Sequence, residues 1–209
     1  VNASPNWARG LDGLILDPNF QSNGYIYVSY TTTSPFLHQR ISRLTIIGNL
    51  ILPGSEVVLY EMDESHQNYH LGGGMAFDKD GKLYIGSGDA NGEDPQSLKN
   101  TDGSIPTDNP FYNRTSDKYR AIYAYGFRNP FTLAAQPGTN RIYVNDVGQN
   151  DWEEINELVA GGNYGWPREE GVSNDPQYLN AIHNYTHGTT NSTGCAVIGG
   201  TFYNPIRQN

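Results

Sequence analysis

The 209 residues are enough for one large all-β domain, or a pair of small ones, with a buried core. With 24 Gly, 12 Pro, 15 Tyr and 36% hydrophobic residues, the composition favours strands and turns and speaks against a helical protein. A formal charge of −9, from 13 basic and 22 acidic residues without a basic block, argues against a nucleic-acid partner. No apolar run approaches the roughly 18 residues of a membrane-spanning helix.

In chain order, the first predicted strand is Gly13-Leu14-Ile15-Leu16, followed by a turn at Asp17-Pro18-Asn19 and a second strand, Tyr25-Ile26-Tyr27-Val28-Ser29-Tyr30. Further strands are expected over residues 40–47 and 56–60. The pattern then recurs: Gly74-Met75-Ala76-Phe77, a turn at Asp78-Lys79-Asp80-Gly81, and Leu83-Tyr84-Ile85-Gly86. A polar loop over 89–113 leads to a strand at 121–124. A third copy follows as Phe131-Thr132-Leu133-Ala134, Pro137-Gly138-Thr139-Asn140 and Ile142-Tyr143-Val144. Residues 151–159 are the one helix-compatible stretch, and 196–203 read as a last strand.

Tyr27, Tyr84 and Tyr143 hold equivalent places 57 and 59 residues apart. A period of that size carried by β-hairpins predicts propeller blades, and the chain holds about three and a half of them, fewer than the four to eight that close a ring. Residues 1–209 are therefore expected to form one partial propeller, truncated at both ends.

Three places carry candidate chemistry. His70 precedes Leu71-Gly72-Gly73-Gly74 at the start of a predicted strand, where an imidazole able to exchange a proton near neutral pH suits a general base. A backbone-bonded turn histidine is the alternative reading. His66 lies four residues earlier in a loop-like segment without an HExxH pattern, which speaks against a zinc pair. Arg128-Asn129-Pro130 sets a guanidinium and an amide beside a residue that stops strand pairing, a combination suited to a planar anionic ligand or, alternatively, to a structural Arg over aromatics.

Asp146-Val147-Gly148-Gln149, Glu153, Glu154 and the Gly-rich run Gly161-Gly162-Asn163-Tyr164-Gly165-Trp166-Pro167 offer oxygen ligands of the kind calcium takes, although a solvated acidic loop has the same composition. Asp89-Ala90-Asn91-Gly92-Glu93-Asp94 lacks the glycine at the sixth position of a calcium loop and reads as a turn. Asn-x-Ser/Thr triplets at Asn2, Asn113, Asn184 and Asn191 suggest a secreted glycoprotein. Cys195, the only cysteine, has no partner for a disulfide within the chain.

These segments, taken in their order and spacing, resemble the glucose/sorbosone dehydrogenase family of six-bladed β-propellers that use pyrroloquinoline quinone (PQQ) and calcium. The resemblance also takes in Gly10-Leu11-Asp12-Gly13 and Gly199-Gly200-Thr201-Phe202-Tyr203. It implies an all-β fold and oxidation of an aldose, with hydride passing to the quinone and electrons onward to an external acceptor. It further implies that His70 is the general base, that Arg128 and Asn129 hold the quinone oxygens, and that Glu154 and Tyr164 take part in a calcium site, Tyr164 through its carbonyl. Ala8 stands where the family usually has Gln. Residues 97–100 run almost directly into Asp102-Gly103-Ser104-Ile105-Pro106, so one blade is expected to lack a strand. With the other half of the ring absent, the isolated chain is expected to be inactive.

Two other functions compete with this reading. A non-catalytic extracellular propeller, like the hedgehog-interacting branch of the superfamily, would bind a protein ligand and tends to lose the Arg-Asn pair that is intact here. A calcium-dependent lactone hydrolase would need neither quinone nor electron acceptor, and no sequence feature asks for it.

Overall fold

In the computed structural model, which describes residues 10–65, 69–89, 96–99, 103–190 and 192–204, each predicted repeat becomes the first two strands of its own antiparallel sheet. The first sheet contains β1 (Leu11–Leu16), β2 (Tyr25–Thr32), β3 (His38–Ile47), a short β4 (Leu50–Ile51) that extends β3 as a hairpin, and β5 (Val57–Glu61) paired to β3. The second is β6 (Met75–Phe77), β7 (Leu83–Ile85), β8 (Gln96–Lys99) and β9 (Ile122–Ala124). The third is β10 (Pro130–Ala135), β11 (Ile142–Asp146), β12 (Trp152–Glu157) and β13 (His183–Thr186). Among the described residues, helix is confined to Phe20–Asn23 and a 3-10 turn at Asp117–Ala121.

Local chemistry explains why the hairpins close where they do. In the first two sheets an aspartate ends the first strand and binds its own turn. Asp17 Oδ1 accepts from Asn19 N at 2.8 Å, and Asp78 Oδ1 accepts from Asp80 N and Lys82 N at 3.0 and 2.9 Å. The second oxygen of each accepts from the repeat tyrosine, Tyr27 at 2.8 Å and Tyr84 at 3.3 Å, so the buried ring keeps its hydroxyl satisfied. In the third sheet Gln136 stands at the aspartate's place, its N–H donating to Arg141 O as those of Asp17 and Asp78 donate to Tyr25 O and Lys82 O.

Strand alternation then stacks the sheets. Leu83 and Ile85 of β7 turn toward the first sheet and join Tyr27, Ile41, Leu59 and Tyr60. Tyr84, between them in sequence, faces the other way and joins Ile142 and Val144 of the third sheet and Leu158 and Tyr164 from the segment that follows β12. The middle sheet is covered on both faces. The innermost strands meet at glycines: a Cβ on Gly13 would overlap the carbonyl of Gly73, and one on Gly74 would press on Leu133 and the backbone of Phe131 and Thr132. The architecture is that of three propeller blades in an open arc, and the all-β expectation holds.

Three expectations are corrected. The second blade lacks no strand, because 96–99 pair with β7 (Tyr84↔Leu98) and with β9, giving the blade its full four. Residues 152–157 form a strand, not a helix: pairing with β11 and β13 and burial of Glu153, Glu154 and Asn156 override the helical spacing of Trp152 and Ile155. Glu153 has no exposed surface, and its carboxylate accepts from His187 Nδ1 at 2.7 Å and Val197 N at 2.9 Å. Finally, 196–203 form no strand. Among the described residues no backbone ladder receives them, and they lie across the outer face of the third sheet, with the Phe202 ring 5.2 Å from that of Tyr143. His66, Ala8, Asn2, Asn191 and most of the 89–94 segment lie outside the described residues.

Candidate active site

The pairing registers gather the candidate residues at one end of the sheets. In an antiparallel pair, the residues before one strand lie beside those after its partner. Met75 pairs with Ile85, which brings His70 next to Asp89; Pro130 pairs with Asp146, which brings Arg128-Asn129 next to the β11 exit. The 70–74 and 86–89 segments continue as a close double run, with Gly73 N donating to Gly86 O and Gly86 N to Gly74 O at 2.9 and 2.8 Å.

His70 is held in a left-handed backbone conformation, φ 56°, which a residue with a Cβ adopts only at a cost. Gly88 packs so closely on it that a Cβ there would overlap the His70 carbonyl. The imidazole is largely buried, with its Nδ1 2.9 Å from Asp89 Oδ1. Because a carboxylate can only accept, this contact puts the proton on Nδ1 and leaves the Nε2 lone pair as the basic position. In the sequence, Asp89 reads only as part of a turn. Its other oxygen accepts from Trp166 Nε1 at 2.9 Å, and its backbone N–H donates to Arg128 O at 2.7 Å.

Arg128 and Asn129 are organised around a buried carboxylate. Asp146 accepts from both backbone N–H groups, Arg128 at 3.0 Å and Asn129 at 2.6 Å. Arg128 Nη1 donates to Val147 O and Gly148 O at 2.9 and 2.6 Å, and the guanidinium lies 5.6 Å from the Trp166 ring. Next to these acceptors, Glu170 Oε1 gathers the N–H groups of Gln149, Asn150, Asp151 and Trp152. Burial opposes ionisation of that carboxyl, but the four donors hold it below its usual range. Among the described residues, Arg128 Nε and Asn129 Oδ1 are buried without a hydrogen-bond partner. Such orphans are rare, and a donor beside an acceptor suits a ligand with oxygens and a ring N–H.

Glu154 sits directly across from Asp146 in the β11–β12 register. Its oxygens accept from Gly171 N at 2.7 Å and Asn156 Nδ2 at 3.1 Å. Burial raises its carboxyl, and burial followed by the charge of Glu154 pushes Asp146 up to about 8. Tyr164 stacks on Phe127 at 4.2 Å, and its hydroxyl donates to Glu157 O and accepts from Val159 N. With the hydroxyl engaged, the carbonyl is what Tyr164 has left to offer a cation. Asp146, Glu154, Tyr164 and Arg128 line one narrow cleft. Among the described residues no three His, Cys, Asp or Glu side chains are grouped to hold a metal ion, so a cation there would rely on carbonyl and water oxygens as well.

The sequence model of the glucose/sorbosone dehydrogenase family matches residues 3–196. The chain belongs to that family. Aldose sugar dehydrogenase YliI of Escherichia coli (strain K12) is 33% identical over 179 residues, 77% of this chain and 47% of that protein. Quinoprotein glucose dehydrogenase B of Acinetobacter calcoaceticus is 30% identical over 219 residues, 88% of this chain and 45% of the relative. Among solved structures, the PQQ-bound form of the aldose sugar dehydrogenase from Streptomyces coelicolor superposes with a TM-score of 0.74 over 93% of this chain and 67% of that one, at 22% identity, which bears on the fold. The chain thus spans about half the length of these curated relatives.

One carboxylate at the rim of this candidate site gives a pH signature. Asp12, at the β1 bulge, packs against Gly73, and its carboxyl is pushed up to about 6 by burial, against a small opposing effect of the Thr31 hydroxyl. The folded state therefore keeps this proton to higher pH than the unfolded chain, and the contribution of Asp12 is fully favourable only below about pH 4 and is lost as pH rises through about 6. Urea melts are expected to show Asp12→Asn matching the parent chain at pH 4 and exceeding it at pH 7.

Proposed function

We propose that this chain carries the His-base half of the active site of a secreted, PQQ-dependent sugar dehydrogenase. The observation that supports this most directly is the His70–Asp89 pair joined through the Asp89 backbone to Arg128-Asn129, whose orphaned Nε and Oδ1 suit the polar edge of a quinone. When bound, PQQ supplies the two-electron acceptor that no side chain can provide.

The protein's own residues do the rest. Arg128 and Asn129 would hold the quinone oxygens, the guanidinium offsetting negative charge on reduction. His70 Nε2 would take the proton of the sugar hydroxyl while the hydrogen on the same carbon departs as hydride toward the two-electron acceptor, and the Asp89 carboxylate would steady the imidazolium that forms. Glu154 and the Tyr164 carbonyl would hold calcium, whose charge relieves the repulsion between the Glu154 and Asp146 carboxylates. A net charge of −9 suits a neutral aldose as substrate, and an external acceptor must then collect the electrons. Secretion is part of this proposal, and exposed Asn113, in a turn, is the better placed of the two described sequons.

The test is to reconstitute the full-length protein with PQQ and calcium and follow dye reduction across a panel of aldoses, with His70→Ala as control. Turnover that needs both cofactors and vanishes in the control supports the proposal. Absence of quinone binding would favour the non-catalytic binding propeller. The isolated 209-residue chain is expected to show no turnover.

The calcium assignment makes its own prediction. At a hundredfold excess over its Kd, calcium is expected to stabilise the protein by about 2.7 kcal/mol over a chelator-treated sample in calorimetry. Glu154→Gln should abolish that difference.

A further inference from the structure

Trp166 lies 77 residues along the chain from Asp89, in the loop between β12 and β13, yet its indole N–H reaches the carboxylate that orients His70. The contacts close a circuit. Asp89 Oδ1 faces His70 Nδ1 at 2.9 Å, Asp89 Oδ2 accepts from Trp166 Nε1 at 2.9 Å, the Trp166 ring lies 5.6 Å from the Arg128 guanidinium, and Arg128 O accepts from Asp89 N at 2.7 Å. Trp166 is fixed in turn, its backbone N–H donating to Gly126 O at 3.0 Å. An indole offers one donor and no acceptor, so it can engage only an oxygen of Asp89 and can never be satisfied by an amide N–H.

We propose that Trp166 is a positioning residue that fixes the rotation of the Asp89 carboxylate, and through it the tautomer of His70, while its ring face braces Arg128. This rests on the dehydrogenase reading of the site only for its effect on turnover; its effect on the tautomer stands apart from catalysis. Its sharpest consequence appears when Asp89 is made an amide. An asparagine at 89 has one acceptor for two donors. If Trp166 claims the oxygen, the amide N–H₂ faces His70 Nδ1, which must then accept, and the ring proton moves to Nε2, where the base is needed. Removing the indole N–H frees the amide to turn its oxygen back to His70.

The experiment uses the full-length protein with ¹⁵N-labelled histidine, read by the ring-nitrogen shifts of His70, alongside dye-coupled turnover and thermal melting of each variant. The parent and Trp166→Phe are expected to carry the proton on Nδ1, with turnover of Trp166→Phe down about tenfold, the scale of one hydrogen bond to a charged group lost in the transition state. Asp89→Asn should shift His70 to the Nε2–H form. The double variant Asp89→Asn with Trp166→Phe should return to Nδ1–H and turn over at least tenfold faster than Asp89→Asn alone, a rescue that loss of packing cannot produce. If the double variant melts like Asp89→Asn and keeps the Nε2–H form, the proposal is overturned. Should the parent protein fail to bind quinone while the tautomers still move as described, the dehydrogenase reading falls and the role of Trp166 stands.

Discussion

Asp89→Asn is expected to lower turnover of the full-length protein about a thousandfold with little change in melting temperature. The substitution keeps the size and shape of the side chain, so the Gly86–Gly74 backbone run and the Asp89 N–H bond to Arg128 O survive. What changes is which nitrogen of His70 carries the proton. With an amide N–H₂ facing Nδ1, the lone pair moves to the buried side of the ring and Nε2 becomes a donor that cannot take a proton from substrate. An Asp-to-Asn change behind a histidine base costs on the order of 10⁴ in the serine proteases for this reason. A smaller figure is expected here because, on the proposed dehydrogenase reading, hydride acceptance by the quinone would be untouched. Comparing kcat with KM decides the matter: a fall in kcat at constant KM fits a tautomer defect, whereas a matching rise in KM would point to a damaged pocket.

The second large effect is on stability. Gly88→Ala is expected to destabilise the chain by about 3 kcal/mol in urea melts, at the upper end of what overpacking costs, because the new methyl would overlap the His70 carbonyl carbon and oxygen, which are backbone atoms. His70 has little room to yield, since it is already in the left-handed region and is anchored to Asp89. Relief must come by moving the segment that carries the base, so the variant should lose turnover even at temperatures where it remains folded. A melt within about 0.5 kcal/mol of the parent, the range of ordinary surface changes, would show that the two segments part more easily than their packing implies.

The parts of this structure that could be read from sequence are those governed by local rules. The hairpins of the three repeats follow from alternating apolar residues and Asp or Gly turns, and each of Tyr27, Tyr84 and Tyr143 sits in the second strand of its sheet. Arg128, Asn129, Glu154 and Tyr164 come together because strand register carries them to one end. Misreadings occurred where distant partners decide. In 152–157 the apolar residues have helical spacing, yet the strand is held by polar ones: Glu153 is satisfied from His187 and Val197, and Glu154 from Gly171, none of them near in sequence. Residues 196–203 have strand-like composition, but a strand needs an edge to join. Asp89 escaped notice because its partner lies 19 residues upstream, while its acidic neighbours suggested a turn. The clue available in sequence was positional, an aspartate leaving the strand that pairs with the one His70 introduces.

The middle blade, covered on both faces, has a consequence for how the chain breathes. Strand β7 cannot release its amides to solvent unless both neighbouring sheets come away, so its protons should exchange only through global opening, whereas β4 and β13 at the rims can fray alone. His70 and Asp89 hang from this slowest-exchanging unit. The proposed base is thus mounted on the part of the chain that moves last, and on the dehydrogenase reading the mobility needed to admit and release a sugar would come from the outer blades and the loops around them.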